Sequence, residues 1–307
     1  MKSSLWSIIG FGLCLFACGT GGPQTNIGKI NVSADESLQP LMQAEEAAFE
    51  GLIKNVEVNL FYRPEDVSIG LMINDSTRIA VVTRELNPKE QEVVRQNKQQ
   101  VYTHHLATDA VALISHPSNR DTLMTMNEVK AIFSGQTTNW SVLKGANLNE
   151  KIVLVFDNNN SSNLSFMCQK LGITDKTKVP FFTAKSNEGV IEYVKKTPGA
   201  LGVIGINWIS DTDDPAAEKF IAGINVLGLT DSNSPDSEED YAYPIPFDLR
   251  LGRYPLKREI YLLTKDTRNS FLNYACKDKG QLVVLKAGLL PATPPERQIH
   301  VNNKMPE

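Results

Sequence analysis

The sequence predicts an α/β protein with room for two lobes, and three observations carry that expectation. Short β-rich runs alternate with stretches of helical periodicity over most of the 307 residues. That length suffices for two lobes, each with its own core. A composition of 41% hydrophobic and 21% charged residues is that of an ordinary globular chain, and no internal repeat is evident.

Candidate strands are Lys29–Ser33, Val56–Phe61, Ile79–Thr83, Asp109–Ser115, Ile152–Phe156, Leu201–Ile204 and Glu259–Thr264. Between the first two, Leu38, Leu41, Met42, Ala48, Phe49 and Leu52 recur at three- and four-residue steps and predict a helix. Ser37 is its expected N-cap, and Pro40 is tolerated in the first turn. Thr125-Met-Asn-Glu128 is a capping-box pattern leading into Val129, Ile132 and Phe133. A further helix carries Leu164, Met167, Cys168 and Leu171, with Gly172 to end it. Asp211–Glu218 and the acidic Asp231–Asp240 read as solvated loops.

The N-terminus adds an address. Lys2 precedes an apolar run, Leu5 to Ala17, that is too short to span a bilayer and has the length of a signal peptide, here residues 1–17. The run ends Leu15-Phe16-Ala17-Cys18-Gly19, which resembles a bacterial lipobox with Phe16 a looser fit. Cys18 is therefore the expected lipidation site, and residues 18–28 the tether to a membrane, with a plain signal peptide as the alternative. Loss of Lys2 takes the formal charge from −4 to −5, so bulk electrostatics favour neither nucleic acid nor an anionic membrane surface. Past Cys18 only Cys168 and Cys276 remain, either bridged or as separate buried thiols, the latter preferred.

Motifs for catalysis are absent: no Gly-x-Ser-x-Gly, His-Glu-x-x-His, Walker loop or Cys-x-x-Cys. His104 and His105 sit together before a strand, where neighbours point to opposite faces, so no metal site and no cofactor is expected. Two strand-to-helix turns are more suggestive, Ser33-Ala34-Asp35-Glu36-Ser37-Leu38 and Asp157-Asn158-Asn159-Asn160-Ser161-Ser162-Asn163. Each places polar side chains where unsatisfied helix amides gather partial positive charge. Facing one cleft, they would make a small-molecule cage; apart, they are ordinary capped turns.

Several segments resemble the periplasmic phosphate-binding proteins of the PstS type, which feed an ABC transporter. They are Ala34–Leu41 with the helix to Phe49, Ile79–Leu86, Met126–Leu143 with its Thr138-Asn139-Trp140-Ser141, Thr197–Gly202, and Tyr254–Tyr261. They occur in family order from about residue 30 to 295. The resemblance implies a two-lobed periplasmic-binding-protein-like fold with two crossing hinge segments, near Leu106–Asp109 and Tyr254–Arg258. Lobe 1 would be residues 29–107 plus 258–307, and lobe 2 residues 108–257. It also implies a monomeric, non-enzymatic receptor that faces the periplasm or cell exterior and holds a small anion such as phosphate. Trp140 reads as a packing residue.

By the same resemblance, Ser37 with the amide of Leu38, Thr83 or Arg84, and Ser161, Ser162 and Asn163 are the expected ligand contacts, with Asp157 beside them. Asp157 stands where the family carries an arginine, Asp35 and Glu36 make the first loop acidic, and Thr83 replaces an aspartate of some members. A like charge about 4 Å from a phosphate oxygen costs about 4 kcal/mol at an effective dielectric near 20, against about 8 kcal/mol for micromolar affinity. Arg63 and Arg84 are the cations placed to offset it. Three readings stay open: a receptor for phosphate or a similar anion, the same clamp retuned to another ligand, and a structural or signalling envelope lipoprotein that binds a protein.

Overall fold

The computed structural model describes residues 28–145, 147–210 and 222–295. The leader, Cys18, the tether up to Ile27 and the Asp211–Glu218 loop lie outside the described residues. Among these, a ten-stranded sheet runs β2-β1-β3-β11-β4-β8-β6-β7, with β9 and β12 pairing β4 beside that path. The strands are β1 (Gly28–Asp35), β2 (Val56–Arg63), β3 (Ile79–Val82), β4 (Tyr102–Ser115), β6 (Val153–Phe156), β7 (Phe181–Thr183), β8 (Ala200–Gly205), β9 (Asn225–Val226), β11 (Lys257–Thr264) and β12 (Leu290–Pro291). Strands β5 (Leu123–Thr125) and β10 (Gly228–Thr230) form a separate parallel pair.

One strand joins the two lobes. β4 pairs antiparallel with β11 as far as Ala110↔Lys257, then changes partner and pairs with β8 from Val111↔Gly205 onward. Its sequence shows why. Tyr102–His105 alternates exposed and half-buried, whereas Leu106–Ser115 is buried throughout, as a strand covered on both faces must be. At the change of partner the Val111 amide donates to Leu256 O at 3.0 Å, and the Tyr254 hydroxyl donates to Val111 O at 3.0 Å. The chain therefore passes between the lobes at two neighbouring points, and the main apolar core runs continuously through β4 from Val32 to Val284. The buried run of β4 joins the packing on either side of the crossing, and a smaller cluster sits around Ile69, Met72 and Val82.

The helices follow the sequence except at one start. The first predicted helix is α1 (Gln39–Leu52), but Ser37 does not cap it. A 3₁₀ turn, Glu36–Leu38, intervenes and is capped by Asp35, whose side chain accepts from the Ser37 amide. The Ser37 hydroxyl is turned to Asp35 and Arg258 instead of to an amide of α1. On α1 the buried face is Leu41, Met42, Glu45 and Phe49, while Leu52 is 47% exposed. Then come α2 (Glu65–Ile73), α3 (Pro88–Gln96), α4 (Met126–Phe133), α5 (Ser162–Leu171), α6 (Asn187–Lys196), α7 (Pro246–Arg250), α8 (Ser270–Ala275) and α9 (Asp278–Lys286).

The Thr125–Glu128 capping box is complete, and Gly172 closes α5 at φ 70°. Trp140 is buried, and its indole donates to Gly199 O at 3.0 Å, the packing role expected of it. Cys168 and Cys276 are free thiols. Residues Asp231–Asp240 form an exposed loop apart from half-buried Pro235.

Candidate functional site: a carboxylate-rich junction between the lobes

The segment Asp35-Glu36-Ser37 leaves the C-terminal end of β1 and is gripped from the other half of the sheet. Ser162, the first residue of α5, donates its hydroxyl to Asp35 Oδ1 at 2.7 Å. Asn158 donates to Glu36 Oε2 at 2.8 Å, and Asn187, at the start of α6, to Glu36 O at 3.4 Å. Asn207 and Trp208, just past β8, both donate to Ser37 O, at 3.0 and 2.9 Å. The two predicted turns therefore do face one junction. Gly205 makes room for it: a Cβ there would lie 3.2 Å from Arg258 Nη2 and 3.3 Å from Ser37 O.

The cation at the centre is Arg258, on the crossing strand β11. It is 3% exposed, bonds Asp109 Oδ2 through Nε and Nη2 at 2.8 Å each, and donates from Nη2 to the Ser37 hydroxyl at 3.0 Å. Among the described residues its Nη1 has no hydrogen-bond partner, nor do Asp109 Oδ1, Asp157 Oδ1, either polar atom of the Asn163 amide, Asn187 Oδ1 or Asn207 Oδ1. This concentration of buried donors and acceptors without protein partners makes the junction the candidate binding site. Burial pushes the Asp109 carboxyl up, while the Arg258 charge and hydrogen bond oppose it.

The remaining expected contacts divide in two. Ser161 caps α5, its hydroxyl accepting from the Leu164 amide at 3.4 Å, and the first-turn amides of Ser162 and Asn163 have no intrahelical acceptor. Leu38 follows Ser37 with its side chain in the core. Thr83 and Arg84 lie across a neighbouring cavity of about 210 Å³, lined also by Glu65, Asn160, Ser162 and Ser165. Their donors are already engaged. The Thr83 amide and hydroxyl donate to Glu65 Oε1 at 2.6 and 2.8 Å, and Arg84 bonds Glu65 Oε2 at 2.9 Å and Glu90 at 2.7 Å. Arg63 is exposed, donating to Tyr62 O, so neither expected cation is the central one.

The acids feel one another. Burial raises the Glu65 carboxyl and the Asp35 charge adds to it, against Arg84 and the two Thr83 hydrogen bonds. Burial likewise raises Glu36 and Asp157, with help in each case from Asp35. Sequence reasoning missed Arg258, Asp109, Asn187, Asn207 and Trp208. Arg258 stood in plain view inside the quoted Tyr254–Tyr261 signature. Only the switch of β4 between partners shows that a crossing strand delivers its guanidinium to the junction.

A two-lobed α/β fold with a polar junction at two strand crossings defines a class of clamp-like binding proteins. Residues 19–279 match the family model described as the PBP superfamily domain, and the chain belongs to that family. It is similar to the phosphate-binding protein PstS of Borreliella burgdorferi, 22% identical over 281 residues that cover 87% of this chain and 91% of that protein. PstS of Bacillus subtilis is 22% identical over 277 residues, covering 89% of this chain and 83% of that one. Among solved structures, a putative phosphate ABC transporter substrate-binding protein with bound phosphate from Clostridium perfringens aligns with a TM-score of 0.72 at 19% identity, over 87% of this chain and all of that one. An ABC-type phosphate transport receptor from Vibrio cholerae aligns at 0.63 and 19% identity, over 86% of this chain and 100% of that one.

Proposed function

We propose that the chain is an extracytoplasmic solute-binding protein of an ABC transporter, lipid-anchored through Cys18, that holds a small oxyanion, phosphate first, between its lobes. Kinship with PstS proteins supports the class. The observation that carries the site is Arg258: a buried guanidinium at the crossing with a free Nη1, beside the hydroxyls of Ser37 and Ser162. A guanidinium with two hydroxyls and the opening amides of α5 is the donor set an oxyanion takes.

Residues 1–17 are the leader, 18–28 the tether, 29–107 with 258–307 one lobe and 108–257 the other. The protein works as a monomer without a cofactor, binding rather than catalysing, with an ABC permease as its partner and the periplasm or cell exterior as its place. Equilibrium dialysis of the full chain carrying Cys18→Ala with labelled phosphate, against sulfate as competitor, tests the ligand. Saturable uptake lost in Arg258→Met supports it, and none at millimolar phosphate retires it. Labelling with radioactive palmitate, lost in Cys18→Ala, tests the anchor.

A second reading rests on Asp157, buried beside Asp35 and Glu36, whose Oδ2 accepts from Asn158 while Oδ1 has no partner among the described residues. An amine-bearing ligand would answer it, and would bind where phosphate did not.

A further inference from the structure

Apart from Arg258 Nη1 and the Asn163 amide, the side-chain donors that would receive an anion at this junction are already taken. Asp35 Oδ1 collects the Ser37 amide at 3.0 Å, the Ser37 hydroxyl, and the Ser162 hydroxyl at 2.7 Å, with Arg258 Nη2 held to that same Ser37 hydroxyl. Glu65 does the like next door, collecting the Thr83 amide and hydroxyl through Oε1 and the Arg84 guanidinium through Oε2. Both carboxylates are buried, at 3% and 8% exposure. Amide and hydroxyl donors converging on one carboxylate, joined at Glu65 by a guanidinium, make the arrangement in which a bound anion is held, supplied here by the chain itself.

We infer that Asp35 and Glu65 are tethered surrogates for the anion: they fill the donor positions of the cleft, let the lobes close without ligand, and set how strongly a free oxyanion competes. The inference rests on the oxyanion reading above only for its last clause. The closing clause follows from reach. Asp35 lies at the end of β1, whereas Ser162 opens a helix beside β6 in the other half of the sheet, so the Asp35–Ser162 bond spans the junction. The grip of Asn158, Asn187, Asn207 and Trp208 on Glu36 and Ser37 runs across it too.

A solute-binding clamp normally spends ligand affinity on closure, so an unliganded chain that is already closed must first be opened, and apparent affinity falls by the fraction of molecules open. A carboxylate on a three-residue leash also competes at high effective concentration. Among the charged groups that meet Asp35 electrostatically, Glu36, Glu65, Asp109 and Asp157 repel it, and Arg258 reaches it through the Ser37 hydroxyl. Removing that one charge relieves the repulsion and vacates the donors together.

The test is small-angle scattering of the full chain carrying Cys18→Ala in phosphate-free buffer, paired with a phosphate titration, for the parent, Asp35→Ser and Ser162→Ala. The parent should be compact with and without phosphate. Asp35→Ser should be more open when ligand-free and should bind phosphate at least about tenfold more tightly, because a tethered competitor is gone. Ser162→Ala, which keeps the carboxylate and breaks only the bond across the junction, should open the chain as well and keeps the test alive if Asp35→Ser fails to fold. Folded variants that match the parent in both dimensions and affinity overturn the inference. Opening without phosphate binding in any variant upholds the latch and removes the phosphate ligand instead.

Discussion

Asp109 and Glu45 are both acids with no solvent exposure, yet the molecule treats them oppositely. Asp109 on β4 accepts a hydrogen bond from Arg258 Nε and has an ion-pair contact with its Nη2, both at 2.8 Å, so its charge has a partner. Glu45 on α1 faces the α8–α9 side with both oxygens unpartnered, and burial alone pushes its carboxyl up to about 9. Its neighbours, Tyr274 and Cys276, are pushed up by burial and further by Glu45, which is how groups beside a repelled negative charge behave. A buried acid keeps its charge only where a cation is held against it. The junction between the lobes holds one of the first kind, Asp109, and the packing of α1 against α8 and α9 holds one of the second.

Breaking the pair should have the largest effect. Arg258→Met leaves Asp109 buried without its cation and should cost about 3–5 kcal/mol at neutral pH, read from urea unfolding. A loss below about 1 kcal/mol would mean that water reaches Asp109 in solution.

The unpaired acid should respond with the opposite sign. With a native value near 9 against an ordinary 4.5, Glu45 stays protonated in the fold while the unfolded chain ionises. Stability is therefore fully present below about pH 4.5 and falls by about 1.4 kcal/mol per pH unit toward pH 9, then levels. Glu45→Gln should flatten that window and raise stability at pH 7 by up to about 3 kcal/mol, measured by unfolding at pH 5, 7 and 9. A slope unchanged by the substitution would show that another group carries it.

Trp140→Phe should cost about 1 kcal/mol, since it removes one of the two hydrogen bonds the Gly199 carbonyl accepts, the Val153 amide keeping the other, without changing any charge. The exposed counterpart should matter least. Lys29 and Glu57 pair across β1 and β2 at 3.1 Å on the surface, and Lys29→Ala should change stability by less than about 1 kcal/mol, less still in high salt.

How much of this could be read in the chain depends on range. Alternating strands, the Thr125–Glu128 box, the Gly172 stop and the packing of Trp140 are local or carried by long matching segments, and they stand in the structure. Short pieces such as β7, Phe181–Thr183, and β12, Leu290–Pro291, have too few residues to show a period. The cap expected at Ser37 falls elsewhere, Asp35 capping the 3₁₀ turn and Leu38 standing before α1 without a side-chain bond, because a short turn inserted between strand and helix leaves no periodicity.

The site was half legible. Ser37 and Ser162 meet at one junction although their turns follow β1 and β6, strands in opposite halves of the sheet, while Thr83 and Arg84 are spent on Glu65. The partner switch of β4, which carries Arg258 and Asp109 into the junction, is a long-range pairing. It leaves no mark on either segment alone.

The most direct test of the account is calorimetry of phosphate binding to the Cys18→Ala chain beside its Arg258→Met and Asp35→Ser forms. The account predicts saturable one-to-one heat in the parent, none in Arg258→Met and tighter binding in Asp35→Ser. No heat at millimolar phosphate in either the parent or Asp35→Ser would contradict it, and would leave the junction to a ligand of another charge.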